Sequence, residues 1–369
     1  MQVQDRKKEL NNCELLNSSC ADIALNNHNN STISARKSQS LTEEMNEKFT
    51  PKKEYSELLV LSYLRLGYEK KAENVANCAN YLEFAKFQDD TYKLQKANFC
   101  RDRLCPMCAW RRSRKVFGQV SQIMNLIDKK YAFIFLTLTV PNCHDEDLSQ
   151  TIDDMNRAWR RFLKYSRISK VCMGFFKTLE ITYNKEADTY HPHFHIIIAV
   201  PKSYFKKKDY IDHAEWLELW RKATKNKRIT QVDVRRVRPK KATASGADCS
   251  NVFQKTIQGA VAEIAKYAVK SSSYLFRFNE LLTDFCVSTF TTALHNRRLV
   301  AMGGCFLEAH QKLQLDDSEN GDLIHTDGEI RSDVATMIIK YGWSCGAYKL
   351  IEVEDKSLDL DNVLAEYDE

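Results

Sequence analysis

The sequence His191-Pro192-His193-Phe194-His195 runs directly into an apolar segment, Ile196-Ile197-Ile198-Ala199-Val200. Successive side chains on a β-strand point to opposite faces, so we expect His193 and His195 to project together while Phe194 and its apolar neighbours face a core. Two imidazoles about 7 Å apart on one strand face are a suitable pair of metal ligands. The alternative is a solvated polar strand face without a metal, which this spacing on an amphipathic strand disfavours.

A carboxylate for the same site is available from Glu180, within the strand-like segment Lys177-Thr178-Leu179-Glu180-Ile181-Thr182. Two imidazoles and one carboxylate oxygen leave positions open for water or a phosphate, which suits Mg or Mn better than a closed structural zinc site. His191 lies just outside the histidine pair and precedes a proline, so its strand geometry and its role as a metal ligand stay open.

A second segment, residues 256–270, has the periodicity of an amphipathic helix. Turning each residue by about 100° places Glu263, Tyr267 and Lys270 together, opposite an apolar stripe formed by Ile257, Val261, Ile264 and Ala268. A phenol has a pKa near 10, so Tyr267 would need a nearby cation or metal to act as a nucleophile. Taken alone, this segment favours an exposed helix face on which Glu263 pairs with a lysine.

Together, the two segments resemble the HUH endonucleases, and most closely the replication initiators of rolling-circle plasmids, often grouped as the Rep 1 family. Motif one of that family appears as Phe135-Leu136-Thr137-Leu138-Thr139-Val140-Pro141-Asn142. Motif two is His191-Pro192-His193-Phe194-His195, and motif three is Glu263-Ile264-Ala265-Lys266-Tyr267. The motifs occur in the family's order, and the resemblance extends from about Tyr68 to Tyr348.

The resemblance implies a metal-dependent strand transferase that nicks the double-strand origin of a plasmid. Tyr267 would attack the scissile phosphodiester, forming a 5'-phosphotyrosine link and freeing a 3'-hydroxyl that primes synthesis. His193 and His195 would hold the Mg or Mn that polarises the phosphate, and Glu263 would activate the water that terminates replication. Implied partners are origin DNA, single-stranded or cruciform at the nick, with a host helicase and a DNA polymerase.

Four cysteines suggest a second metal site. Cys100, Cys105 and Cys108 are closely spaced, and Cys78 precedes them. A thiolate trio with one remote partner can close a tetrahedral, structural zinc site. The spacing is not the usual doubled C-x2-C, and free thiols in a reducing cytosol are the alternative. The resemblance supports zinc, because a similar cysteine block followed by Trp110-Arg111-Arg112 precedes motif one.

The net charge of +6 over 369 residues is unevenly distributed. Residues 201–241 contain 14 Lys and Arg against 5 Asp and Glu, whereas residues 351–369 contain 8 acidic residues and one Lys. The basic block suits the phosphate backbone of DNA, and its candidate contacts are Lys206, Lys207, Lys208, Arg235, Arg236 and Arg238. Trp216 and Trp220 could stack on bases, but their i, i+4 spacing favours the buried face of a helix.

Strand-like runs at 132–140, 174–183, 193–200 and 229–237 alternate with helical patterns at 107–127, 147–165, 210–224 and 254–270. With the resemblance, this order predicts an α+β fold, an HUH endonuclease-like central antiparallel sheet flanked by helices, with an N-terminal Cys-rich zinc element. The predicted division is a disordered Asn/Ser-rich tail (1–50), the zinc-binding element (51–115), the catalytic nicking domain (116–275), an accessory region of open role (276–350) and an acidic tail (351–369).

No apolar stretch approaches the 18 residues of a membrane span, and no signal-peptide pattern precedes the 12 cysteines. We therefore expect a cytoplasmic protein without membrane contact. Two other function classes stay open: another HUH enzyme, such as a relaxase or transposase, and a zinc-stabilised DNA-binding repressor without catalysis. One tyrosine with Glu263 a turn earlier favours the initiator over the first class, and nicking of a supercoiled plasmid would exclude the second.

Overall fold

The computed structural model describes residues 31–206, 208–237, 260–265, 269–326 and 335–356, with side chains from residue 41 onward. Two antiparallel sheets organise these residues. The larger has the order β6-β3-β5-β4-β7, where β3 is Tyr131–Thr139, β4 is Gly174–Asn184, β5 is Thr189–Pro201, β6 is Val232–Arg236 and β7 is Val300–Gly304. The smaller has the order β2-β1-β8-β9, where β1 is Tyr81–Lys86, β2 is Tyr92–Ala97, β8 is Met337–Ser344 and β9 is Ala347–Asp355.

Helices cover both sheets. They are α1 (Ser31–Arg65), α2 (Glu69–Ala76), α3 (Pro106–Ile127), α4 (Asp145–Leu163), α5 (Ser166–Ser169), α6 (His213–Thr224), α7 (Glu280–Ala293) and α8 (Cys305–Lys312), and residues 260–264 are also helical. Local signals explain several boundaries. α4 has three acidic residues in its first turn and two arginines in its last turn, which complements the helix dipole. α6 begins where the Asp212 side chain accepts a hydrogen bond from the Glu215 amide.

The central strand β5 is buried on both faces, which explains its nearly continuous apolar sequence. Phe194, Ile196 and Ile198 belong to a large core that also contains apolar residues of α4, α6 and α7. Ile197 and Ala199 point the other way and pack with residues of α3, α8 and segment 260–265. The predicted antiparallel sheet with flanking helices is confirmed, as is the core-facing orientation of Phe194.

The predicted disordered tail was wrong for residues 31–50, because they form the first part of α1. Leu41, Met45 and Phe49 repeat every four residues and are buried, and the Phe49 ring packs edge-on against Tyr348, near the other end of the chain. The Asn- and Ser-rich composition concealed this apolar face, whose partners are distant in sequence. Residues 1–30 lie outside the described residues.

The predicted accessory region does not form a separate unit. Its strand β7 extends the five-stranded sheet by pairing with β4, and its strand β8 pairs with β1. The proposed boundary after residue 115 falls inside α3, and Ile351–Asp355 of the predicted acidic tail lie in β9. Such pairings join segments far apart in sequence, so local patterns do not reveal them. Among the described residues, no helix has both the length and the apolarity of a membrane span.

Candidate active site and cysteine cluster

Strand register brings three predicted site residues to one face of the central sheet. His193 on β5 lies opposite Glu180 on β4, and His195 lies opposite Thr178. On the other side of β5, Thr137 of β3 is the partner of His195. Because register partners on neighbouring strands point to the same face, the two histidines and Glu180 form one group.

The ligand atoms of this group converge on the Glu180 carboxylate. Glu180 Oε2 lies 2.9 Å from His195 Nε2 and 3.6 Å from His193 Nε2. All three side chains are buried, and their ligand atoms lie within 4.8 Å of one another. Adjacent ligands of an octahedral ion at about 2.1 Å lie about 3.0 Å apart, so the group is compatible with metal binding.

The other nitrogen of each imidazole also has a partner. His193 Nδ1 lies 3.1 Å from the His191 carbonyl oxygen, and His195 Nδ1 lies 3.2 Å from Thr137 Oγ1. A carbonyl can only accept, so His193 donates from Nδ1. Its Nε2 faces the Glu180 carboxylate, and a bound cation would replace the proton on that nitrogen. His195 Nε2 donates to Glu180 Oε2 in the absence of a metal; with a cation at Nε2, His195 would donate from Nδ1 to Thr137. The strand pattern did not reveal this role for Thr137, which only the register of β3 and β5 shows.

Charge distribution stabilises the ionised form of Glu180. Burial would raise the pKa of this carboxyl group, but hydrogen bonds to His193 and His195 and the positive charge of Lys270 outweigh burial and hold the pKa well below its usual range. An ionised carboxylate at this depth is the form that a divalent cation requires.

His191 lies outside the group of three. Its Nδ1 is 2.8 Å from Asn142 Oδ1, and its ring centroid is 5.2 Å from that of His193. Asn142 is the last residue of motif one, so this contact joins the ends of two motifs. Burial, together with the neighbouring His193, lowers the pKa of His191.

The described part of motif three lies against the sheet face that carries His193, His195 and Glu180, which we call the metal-site face because these residues are the candidate metal ligands. Thr178 Oγ1 donates a 3.2 Å hydrogen bond to the Ile264 carbonyl, and Ser113 Oγ donates a 2.5 Å hydrogen bond to the Ala265 carbonyl. Segment 260–265 is thereby held between β4 and α3. Glu263 is half-buried within this segment. Lys266 and Tyr267 lie outside the described residues.

The predicted helix does not reach Lys270, so its placement on a shared helical face was wrong. Lys270 has an extended backbone, with φ −73° and ψ 139°, before a short 3-10 turn. Its Nζ nevertheless lies 3.3 Å from Glu180 Oε1, which puts a cation at the edge of the histidine group. Lys270 thus reaches the site through a change in chain direction that helical periodicity cannot predict.

The predicted basic block is divided by the sheet. Arg235 lies over the Phe135 ring at 5.5 Å, on the metal-site face, whereas Arg236 lies over Phe205 at 4.1 Å on the opposite face. Lys206 and Lys208 are exposed, and Lys207 and Arg238 lie outside the described residues. The expected burial of Trp216 and Trp220 is confirmed, since both are fully buried.

The four predicted cysteines lie together. Sγ atoms are 3.6 Å apart in the pairs Cys78–Cys108, Cys100–Cys108 and Cys78–Cys105. Four sulfurs at about 2.3 Å from a tetrahedral zinc ion lie about 3.8 Å apart, so these distances fit that geometry without a disulfide. Cys78, Cys105 and Cys108 are buried.

Backbone amides surround this cluster. The amides of Cys100, Arg101 and Asp102 donate to sulfurs at 3.2 to 3.4 Å. Such donors stabilise thiolates, and Cys105 gains further stabilisation as the N-cap residue of α3. Several thiolates buried this close together would need a compensating cation, so the arrangement is compatible with a bound metal.

Comparison with known proteins places this architecture in a class of replication proteins. Residues 91–349 match the model of the Rep_1 family, described as Replication protein. The chain is 42% identical over 263 residues to Protein rep of a Bacillus species, covering 70% of this chain and 85% of the relative. It is 40% identical over 268 residues to Protein rep of Bacillus amyloliquefaciens, covering 71% and 78%.

A Protein rep of Staphylococcus aureus is 38% identical over 240 residues, covering 64% of this chain and 98% of the relative. No solved structure matches the protein. The chain belongs to the Rep_1 family of plasmid replication initiators. The family resemblance expected from the three motifs is confirmed.

Proposed function

We propose that this initiator nicks one strand of the plasmid origin in a metal-dependent HUH-type reaction and starts rolling-circle replication. The observation that carries the proposal is the convergence of His193, His195 and Glu180 in a buried group beside the segment that leads to Tyr267. A group of two imidazoles and one carboxylate keeps positions available for a phosphate oxygen.

In the proposed nicking step, the Tyr267 oxygen attacks the scissile phosphorus. The new O–P bond forms as the bond from phosphorus to the 3' oxygen breaks, and the protein becomes linked to the 5' phosphate. The phenol proton passes to solvent or a nearby base, and the 3' oxygen takes up a proton to become the priming hydroxyl. Mg or Mn held by His193, His195 and Glu180 would supply charge stabilisation worth several kcal/mol.

Two further residues have proposed roles at this site. Lys270, whose ammonium contacts Glu180, would favour the phenolate form of Tyr267 and attract the phosphate. Glu263 would take a proton from the water that hydrolyses the phosphotyrosine link at termination. Its position beside Ile264, whose carbonyl is bound to Thr178, keeps it close to the metal-site face.

We assign a structural role to the cysteine cluster. Zinc held by Cys78, Cys100, Cys105 and Cys108 would join the ends of α2 and β2 to the start of α3, which packs on the central sheet. A closed four-thiolate site leaves no open ligand position, so it would contribute to folding and not to catalysis.

Origin DNA is the proposed substrate. Arg235 on the metal-site face and the exposed Lys206 and Lys208 are suitable phosphate contacts; Lys207 and Arg238 are proposed from the sequence alone. A host helicase would then unwind the duplex while a DNA polymerase extends the freed 3' end.

The test uses supercoiled plasmid that carries the replicon's own origin, with Mg or Mn and with EDTA. We expect open circles and a covalent protein–DNA adduct only when metal and origin are both present, and an origin-free plasmid is the control. Origin binding without nicking in either metal would instead support a non-catalytic repressor.

A further inference from the structure

A cleft of about 470 Å³ lies between α3 and segment 260–265. We call it the α3 cleft, and its lining residues are Trp110, Ser113, Arg114, Phe117, Gly118, Ala262, Ala265 and Thr326. Its volume is in the range of pockets that hold small organic ligands. Neither the histidine group nor the cysteine cluster contributes to it.

The walls of the α3 cleft come from one face of α3. Trp110, Arg114 and Phe117 repeat at helical spacing, and the two aromatic residues are about 10.5 Å apart along the helix axis. Small residues line the remaining sides, so space is left between the aromatic rings and segment 260–265. The hydrogen bond from Ser113 to the Ala265 carbonyl fixes the two sides relative to each other.

Arg114 differs from the other cations of α3. Arg111, Arg112 and Lys115 are buried and donate to carbonyls or carboxylates of residues 316–324. Arg114 is exposed, and within the described part of the chain no carboxylate forms an ion pair with it. A guanidinium beside two partly exposed aromatic rings is suited to a ligand with both a flat ring and an anionic group.

The α3 cleft is connected to the candidate active site through segment 260–265. Segment 260–265 borders the cleft through Ala262 and Ala265. The same segment is bound to Thr178, the register partner of His195, through the Ile264 carbonyl. One short segment of chain therefore contacts both the cleft and the metal-site face.

We propose that the α3 cleft binds one unpaired nucleotide of single-stranded DNA next to the scissile phosphate. Trp110 and Phe117 contact the base, and Arg114 contacts a phosphate of the same strand. Aromatic contact combined with a cation is how proteins hold single strands, whereas a paired base is unavailable for such insertion. The proposal rests on the proposed nicking function and adds the site where the strand is gripped before cleavage.

The test measures binding of wild-type protein to single-stranded oligonucleotides from the replicon's own nick region, in EDTA so that cleavage is excluded. One abasic position is moved along the strand. We expect one position beside the nick at which base removal weakens binding between about fivefold and 150-fold. Phe117→Ala and the cleft-filling Gly118→Leu should remove that position dependence. Phe278→Ala, at a fully exposed ring outside the cleft, should keep it.

Arg114→Ala gives a second measurement that does not depend on packing, because this side chain is exposed. In a plot of log K against log salt concentration, the magnitude of the slope should be smaller by about 0.7 for Arg114→Ala than for wild type. A flat abasic scan in the wild type, or an unchanged scan in both cleft variants, overturns the proposal. If the protein nicks origin plasmid but its binding does not depend on the abasic position, only the proposal for the cleft is rejected. If binding depends on the abasic position but the protein does not nick, the proposed catalytic function is rejected and the proposal for the cleft is supported.

Discussion

Glu180 bonds most closely to the histidine that is not its register partner. Its strand partner is His193, yet Oε2 lies 2.9 Å from His195 Nε2 and 3.6 Å from His193 Nε2. The carboxylate therefore extends diagonally along the sheet and reaches both imidazoles. Lys270 contacts its other oxygen, so the group's electrostatics depend on three separate stretches of chain.

Thr137, the register partner of His195 on β3, should affect the metal affinity of the site. Thr137→Val removes the hydroxyl beside His195 Nδ1, and loss of such an outer contact typically lowers metal affinity about 10-fold to 100-fold. Titrating Mn into nicking reactions would measure the shift. Thr139→Val is the matched control, because Thr139 is the partner of His193 on the same strand and its hydroxyl donates to the Gln231 carbonyl. Equal effects of the two changes would reject this role for Thr137.

Glu180 should make the free energy of unfolding of the metal-free protein depend on pH. Its pKa in the folded state lies below its usual range, and the unfolded value is about 4.3. The contribution is therefore present above about pH 4.3 and is lost as pH falls through the folded pKa. Melting temperatures measured in EDTA from pH 6 to 3 should fall more steeply for wild type than for Glu180→Gln. Glu308→Gln, at an exposed carboxylate, should follow the wild-type profile, and parallel profiles for all three proteins would contradict the prediction.

Tyr267→Phe should keep DNA binding and abolish both nicking and the covalent adduct, because only the hydroxyl is removed. Denaturing gels of labelled origin DNA would detect the adduct. Tyr190 and Tyr274 are poor substitutes as nucleophiles. Both are fully buried; burial raises the pKa of Tyr190, and Tyr274 donates to the Leu104 carbonyl. A covalent adduct in the Phe variant would move the nucleophile away from motif three.

Cys105→Ser should destabilise the protein strongly, because structural zinc in small domains contributes on the order of 10 kcal/mol of binding free energy to folding. Thermal melting and zinc content of the purified protein would measure the effect. His193→Ala should abolish nicking and lower the melting temperature by much less than Cys105→Ser does, since an open site adds little to folding compared with a closed zinc site. Cys172→Ser is the matched cysteine control outside the cluster. Zinc-free wild type, or equal melting of wild type and Cys105→Ser, would exclude the four-cysteine site.

Glu263→Gln should separate initiation from termination. The change keeps side-chain volume but removes the base, so the first nick should persist while release fails and multimeric single strands accumulate. Glu263→Tyr should partly restore termination, since a second phenol can replace water by transesterification. Gel analysis of replication products in cells would score both variants. Loss of the first nick in Glu263→Gln would make Glu263 a base for Tyr267 or a metal ligand.

Much of the candidate site could be predicted because its signals are local. The alternation His193-Phe194-His195 places side chains on opposite strand faces, and Glu180 lies in a similar strand pattern. Residue type and spacing also predict the cysteine cluster. These groupings agree with the structure, while their roles as metal ligands stay predictions.

The parts that could not be predicted depend on contacts between distant segments. Thr137 meets His195 only through the register of two strands 58 residues apart. Lys270 reaches Glu180 because the chain leaves the helix before it. The burial of Phe49 requires Tyr348. Residue pattern within a window of 15 or so positions carries no information about such partners.

The pairing of β1 with β8 joins Tyr81–Lys86 to Met337–Gly342. During synthesis at about 5 to 20 residues per second, β1 must wait more than ten seconds for this neighbour to leave the ribosome. During that interval the cysteine cluster next to β1 would lie beside an incomplete sheet, in which β1 is paired with β2 but not yet with β8. Zinc bound at the proposed four-cysteine site would hold the early segments together until the late strand is synthesised, and zinc supply would then be a condition for productive biosynthesis as well as for final stability.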